Sequence, residues 1–249
     1  MWSARGHITD IHCHLLPGLD DGPATMDDSL AMARRAVADG TRTVVCTPHM
    51  HPTYPTHPDA VHTGVARLAD ALRDAEIPLR VLPGAEISHL YLPEMSIAQV
   101  RRASLGAEGR WVLLEVPFRD WPPELPRIIR TLGNRGLGTV LAHPERSEPV
   151  QDDPFLLQPL IALGALAQVT AASLTGGHGP DAARTARDLI DLRLVHVMAS
   201  DGHSADWRPP LIMDGLRAAS DHMGTSTHHA LRMAEDVPAA LAAPMAPAA

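Results

Sequence analysis

The chain predicts an α/β fold whose parallel strands close, or nearly close, into a barrel, and three observations carry that expectation. Short apolar runs rich in β-branched residues alternate with longer segments of helical period along most of the 249 residues. Strands separated by helices pair in parallel through right-handed crossovers, and about seven such units suit a barrel better than an open doubly wound sheet, the runner-up. The third observation is chemical. Histidines and carboxylates recur where predicted strands end, and in an α/β barrel those ends converge on the face that carries active sites.

The first strand is read at 7–12. A helix from about Met26 to Asp39 follows, opened by Thr25 with Asp28 three residues on and stopped by Gly40. Further strands are expected at 42–46, 79–83, 110–116, 138–142, 165–169 and 194–199. Helices are read at 58–76, 123–134, 180–192 and 207–222, with weaker ones near 96–103 and 153–163. No charge block, internal repeat or low-complexity stretch divides residues 1–236, so a single domain is expected there. In residues 237–249 Ala and Pro dominate, and that tail is expected to be frayed or disordered.

Composition narrows the function classes. The chain is 45% hydrophobic, enough for one substantial core. Its formal net charge is −8, and all 21 basic residues are arginine, scattered rather than clustered. A groove for a nucleic-acid backbone needs a concentrated basic face, so nucleic acid is not an expected partner. Two cysteines, Cys13 and Cys46, are too few for a disulfide framework and are read as buried thiols. No run of 18 apolar residues occurs and Met1 to His7 lacks an apolar signal core, so membrane insertion is not expected and a cytoplasmic location is.

His12-Cys13-His14 places two imidazoles on one side of a strand end, since side chains repeat every second residue. Alone, such a pair is as readily a polar pairing as a metal grip. Asp20-Asp21-Gly22 reads as a turn when taken by itself. Thr47-Pro48-His49 follows an apolar run, Glu86 follows Pro83-Gly84-Ala85, and Glu115 interrupts the run from Trp111 to Val116. A carboxylate at the end of a buried strand is costly unless paired with a cation or bound to a metal, and for Glu115 the metal is favoured over an arginine. His143-Pro144-Glu145-Arg146 and Asp201-Gly202-His203 again follow strand candidates. Imidazole nitrogens and carboxylate oxygens suit borderline and hard divalent ions, and an array this large can hold more than one. The other histidines, among them His57, His62, His89, His178 and His228, are read as surface residues; His51 is set apart because it lies two positions after His49.

Other catalytic classes lack their residues. There is no G-x-S-x-G elbow and no glycine-rich phosphate loop. A cysteine phosphatase requires C-x5-R, but Leu19 and Pro52 stand six positions after Cys13 and Cys46.

Six segments, D-I-H-C-H-L-L-P-G-L-D-D-G, C-T-P-H, G-A-E-I, L-L-E-V-P-F, A-H-P-E-R and A-S-D-G-H-S-A-D-W-R-P-P, in this order, resemble the PHP (polymerase and histidinol phosphatase) superfamily. They look most like its bacterial manganese-dependent protein-tyrosine phosphatases of capsule and exopolysaccharide synthesis, from about His7 to Met223. The resemblance implies a distorted (β/α)7 TIM-like barrel, the PHP fold, holding three divalent metal ions, manganese first, with iron or zinc as alternatives. It implies that His12, His14, Glu86 and Asp201 bind the first ion, and that Glu86 bridges to a second held also by Glu115 and His143. Asp21, His49 and His203 would bind the third, and Arg146 and Arg208 the phosphate. Cys13 stands where a serine is common, and the loop at 50–57, with His51 and Tyr54, varies between relatives, which bears on substrate more than on reaction.

The implied reaction is phosphomonoester hydrolysis by a metal-activated water, with His203 as one candidate general acid. The implied partner is a phosphotyrosine protein, such as a bacterial tyrosine kinase. Two alternatives remain: a small-molecule phosphatase, for instance for histidinol phosphate, and a metal-binding regulatory module without turnover.

Overall fold

The computed structural model describes residues 7–107, 109–224 and 227–243; the outermost parts of the expected domain and tail lie outside them. β1 (Ile8–Cys13) leads through a loop to α1 (Met26–Asp39). The capping box expected there is present: the Thr25 hydroxyl accepts the Asp28 amide, and the Asp28 carboxylate accepts the Thr25 amide. β2 (Thr41–Cys46), β3 (His49–His51) and β4 (Tyr54–Pro55) come before α2 (Pro58–Asp74). β5 (Arg80–Pro83), β6 (Glu86–Ser88) and α3 (Ile97–Arg102) follow. Next are β7 (Trp111–Glu115), α4 (Leu125–Gly133), β8 (Gly138–Ala142), α5 (Glu148–Asp152) and α6 (Gln158–Ala162). β9 (Leu166–Thr170), α7 (Ala171–Leu174), α8 (Gly179–Asp191) and β10 (Val197–Ala199) complete the wall. α9 (Met213–Met223), α10 (Thr227–Arg232) and α11 (Asp236–Ala242) end the described chain.

The strands form two sheets, β1-β2-β5 and β10-β9-β8-β7-β6-β3-β4, parallel throughout except for β4 on β3. The sheets are successive stretches of one wall. β2 pairs with β5, and past the breaks at Thr47-Pro48 and Gly84-Ala85 their continuations β3 and β6 pair in the same order. Pro48 has no amide proton to give a ladder, which accounts for one break. The segment after β10 closes the ring on β1: the Asp201 amide donates to the His12 carbonyl, and the His14 amide to the Gly202 carbonyl, each at 2.8 Å. The architecture is a distorted α/β barrel of the expected class, with an irregular wall where the candidate ligands are.

Ile11, Val45, Leu113, Val140 and Val197, from five different strands, form an apolar cluster with Leu105 and with Leu241 and Ala242 of α11. Leu113 lies two residues before Glu115 and therefore on the same strand face, so this cluster underlies the candidate ligands.

Three expectations are corrected. Val237 does not begin a frayed tail: α11 covers Asp236–Ala242 and buries Pro238, Leu241 and Ala242, so the one leucine of an Ala/Pro-rich stretch seals the barrel core. The helix expected at 207–222 begins at Met213, because Pro209 and Pro210 disfavour helical backbone in the residues that precede them. β3 and β6 were not expected, since His-Met-His and Glu-Ile-Ser carry functional polar groups instead of β-branched ones.

Candidate metal centre

The irregular wall places the histidines and acids. His12 lies in β1 and His14 one residue beyond it, with their Nε2 atoms 3.3 Å apart. His49 opens β3 and faces Glu86, which opens β6. Glu115 closes β7. His143 follows β8, and Asp201 lies just past β10; both hold left-handed backbone, with φ of 36° and 53°. Such a conformation costs a non-glycine residue about 1–3 kcal/mol and persists where surrounding structure enforces it, commonly at functional sites. Gly202 between Asp201 and His203 is required by packing, because a Cβ there would meet Pro210 at 2.8 Å.

The nine residues form overlapping groups whose donor atoms lie within 4.8 Å of one another: His14, Asp21, His49 and His203; His12, His14 and Asp201; His12, Glu86 and His143; and His49, Glu86 and Glu115. Glu86 joins two of these groups, with Oε1 2.6 Å from His143 and Oε2 3.0 Å from His49. Glu115 and His143 share no single group among the described residues; Glu115 instead keeps company with His49.

Three imidazoles are held from behind. His12 Nδ1 donates to Gln168 Oε1 at 2.8 Å, His14 Nδ1 to Asp20 at 2.6 Å, and His203 Nδ1 to the Asp201 carbonyl at 2.9 Å. These partners only accept, so in its neutral form each ring carries its proton on Nδ1 and turns Nε2 inward as the free lone pair, the arrangement typical of ligating histidines. Neither Glu86 Oε2 nor His49 Nδ1, though close together, is aligned for a hydrogen bond, and His143 Nδ1 also lacks a partner. Buried lone pairs converging without satisfying one another fit divalent cations, and the donor set of imidazole and carboxylate is of the right type.

The charges are strongly coupled. Burial opposes ionisation of Asp201, yet His12, Arg208 and His143 hold its carboxyl well below the usual range. Burial pulls His12 down, but Glu86 and Asp201 outweigh it and raise it to about 9. Burial and then the Glu86 charge push Glu115 up to about 7. A site that raises an acid and a base together is short of positive charge, which bound dications would supply.

Arg146 and Arg208 both reach Asp201 Oδ2, Arg146 at 2.7 Å. Arg208 is brought back to the site by a tight loop in which the His203 and Ser204 amides donate to its carbonyl. An aromatic residue flanks each of three histidines: Tyr54 stacks on His49 at 5.7 Å, Phe118 lies 5.5 Å from His143, and the exposed Trp207 lies 6.1 Å from His203. Cys13 and Cys46 are buried and free, and burial pushes both thiols up, so neither is a nucleophile.

The family described as capsular polysaccharide synthesis, CpsB/CapC, matches residues 8–238. The chain belongs to this family. It is 35% identical over 225 residues to the tyrosine-protein phosphatase YwqE of Bacillus subtilis, covering 90% of this chain and 88% of that one. It is 25% identical over 209 residues to the tyrosine-protein phosphatase CpsB of Streptococcus pneumoniae, covering 82% and 86%. Among solved structures it resembles one from the pair YwqE of Bacillus subtilis and CpsB of Streptococcus pneumoniae, described as metal-dependent tyrosine phosphatases. That match has a TM-score of 0.83 at 35% identity and covers 89% of this chain and 90% of that one. A TatD family hydrolase from Entamoeba histolytica, at 11% identity and a TM-score of 0.58, shares the fold alone.

His51 joins no metal-type group among the described residues; its Nδ1 accepts the Thr53 amide. His57 caps α2 and His62 bonds the Arg102 carbonyl, both away from the centre, while the His228 side chain lies outside what is described. Sequence reading missed Asp20 and Gln168, which orient ligands, because an Asp in D-D-G and a Gln inside a strand carry no signal of their own. It also set His178 aside, although this residue shares a cavity with both arginines. The glycines around it in T-G-G-H-G-P, which follow α7 and precede α8, were the available signal.

Proposed function

We propose that this chain is a metal-dependent phosphomonoesterase acting on phosphotyrosine. The observation that carries the reading is Asp201, which faces the histidine cluster with Oδ1, 3.3 Å from His12 Nε2, and holds Arg146 and Arg208 with Oδ2. Two planar cationic forks therefore sit beside a cluster suited to dications, as binding of a phosphoryl group requires.

We assign three ions, manganese by preference over iron or zinc. His12, His14, Glu86 and Asp201 would hold the first; Glu86, Glu115 and His143 the second, which requires Glu115 and His143, in no common group among the described residues, to draw together around it; Asp21, His49 and His203 the third. Bound dications lower the pKa of water and offset charge on a phosphoryl group. Arg146 and Arg208 orient that group, and Glu86 keeps neighbouring positions together. His203 has one nitrogen left after Nδ1 is engaged, so it cannot ligate and move a proton at once; we assign it to ligation. A phenolate departs with little acid assistance, which suits such a site to aryl esters. The named activity of YwqE and CpsB supports the same substrate class. In this reading the substrate is a tyrosine-phosphorylated cytoplasmic protein such as a bacterial tyrosine kinase. No helix among the described residues is long and apolar enough to cross a membrane.

The test is hydrolysis of p-nitrophenyl phosphate by chelated and manganese-reloaded protein, then competition among phosphotyrosine peptide, phosphoserine peptide and histidinol phosphate. Manganese-dependent turnover with phosphotyrosine preferred is expected. If histidinol phosphate outcompetes every phosphotyrosine peptide, the small-molecule reading replaces this one.

A further inference from the structure

Between α7 and α8 the chain makes a glycine-rich turn, with Gly179 at φ +88°, that sets His178 at the start of α8. Its ring lines a cavity of about 440 Å3 together with Arg146, Arg208, Trp207 and Asp214. The ring is fixed by a short chain of hydrogen bonds. Glu145, fully buried, accepts the Ser173 hydroxyl at 2.7 Å and the Thr170 amide at 2.9 Å. Since the only hydroxyl proton of Ser173 goes to Glu145, its oxygen can only accept from His178 Nδ1, 3.1 Å away. The tautomer follows: Nδ1 carries the proton, and Nε2, which has no hydrogen-bond partner among the described residues, is a lone pair.

We propose that His178 is a third phosphoryl-binding group. When a tetrahedral dianion occupies the space beside Arg146 and Arg208, Nε2 takes a proton from solvent and donates a hydrogen bond to it. This rests on the phosphatase reading above and deepens it. In the unliganded protein burial, then the charges of Arg146 and Arg208, push His178 down to about 4, against a weaker opposite pull from Asp201. Other charged and titratable neighbours are His143, Glu145 behind Ser173, Asp214 across the cavity, and Arg187 of α8, which donates to the Leu174 carbonyl at the end of α7. An arriving dianion works against the downward push, because its two negative charges offset those of the two arginines and favour the protonated ring hydrogen-bonded to it. Nucleophile and leaving group are untouched by this step, and the only transfer is one proton from water to Nε2. His178 is thus a substrate-binding residue that carries a charge only when substrate is present.

The probe is sulfate, which keeps its two charges from pH 5 to 8, bound to the manganese-loaded protein and followed by calorimetry in buffers of different ionisation heat. The wild type should take up protons on binding sulfate, and its affinity should fall as pH rises. In His178→Gln, checked for folding by thermal unfolding and repeated as His178→Asn, proton uptake should shrink. Affinity at pH 6 should weaken about tenfold, as for loss of a charge-assisted hydrogen bond, with little change at pH 8. Equal proton uptake and pH dependence in wild type and both variants overturns the inference, as does a uniform loss of affinity at every pH with uptake intact. A wild type that hydrolyses p-nitrophenyl phosphate but binds no sulfate overturns it alone. A wild type that does neither overturns the phosphatase reading as well.

Discussion

His14 Nδ1 lies 2.6 Å from Asp20 Oδ2, a carboxylate that is itself held by the His49 amide at 2.9 Å. One acid therefore sets the orientation of a ring in β1's extension and the start of β3. Asp20→Asn would leave the volume unchanged but replace a charged acceptor with an amide, so His14 would lose its fixed tautomer. Manganese affinity should fall about 10- to 100-fold, as for other carboxylates behind ligating histidines, with the circular dichroism spectrum unchanged. Chelator competition measures this, and wild-type affinity would return Asp20 to the role of a turn residue.

Removal of the ions with chelator should abolish aryl phosphate hydrolysis, and manganese should restore it. Asp201→Asn and Glu86→Gln keep side-chain volume while removing a charge shared by several groups, so both should lose most turnover and bind less metal. Full activity in protein shown by elemental analysis to be metal-free would refute the metal-dependent mechanism.

Arg208→Ala should raise KM or lower kcat for phosphotyrosine peptides by the equivalent of about 1.5–3 kcal/mol, the loss of a charged hydrogen bond. Arg146 still neutralises Asp201 Oδ2 in that variant, so the protein should stay folded. Steady-state kinetics on the folded variant decides the matter, and unchanged constants would remove Arg208 from the site.

Asp10 gives a pH dependence whose sign can be worked out. Burial raises its pKa to about 6, against hydrogen bonds from Ser200 and the His12 amide. An acid raised above its unfolded value holds its proton more tightly when folded. Its ionised form therefore weakens the fold above about pH 6, and that penalty fades as pH falls toward the unfolded value near 4. Asp10→Asn should raise the Tm of metal-free protein at pH 8 and leave it close to wild type at pH 4. A lower Tm at pH 8 would show that the hydrogen bonds outweigh burial.

Leu241→Ala should destabilise the protein by about 2–4 kcal/mol, because the side chain is buried against the barrel core with Leu105. Urea unfolding measures it; a variant within about 0.5 kcal/mol of wild type would mean the end of the chain is dispensable, as a surface site would be.

Much of this was legible in the chain itself because it depends on local rules. Thr25, Asp28 and Gly40 mark α1 by capping chemistry alone, and the apolar runs that became β7, β8 and β9 announce themselves by period and composition. Eight of the nine candidate ligands were likewise readable at the ends of such runs, whereas Asp21 reads locally as a turn residue and entered only through the family resemblance. Only the tertiary structure decided which donors meet. Glu86 between His143 and His49, and His178 beside two arginines, are contacts across tens of residues, and Asp20 reaches back six residues to His14 through a loop; no local pattern encodes any of them. It also decided β3, β6 and α11, whose sequences look unlike their structures for a common reason. Polar ligands in a strand, and a single leucine in an alanine-rich helix, gain their stabilisation from the site and the core they complete rather than from intrinsic propensity.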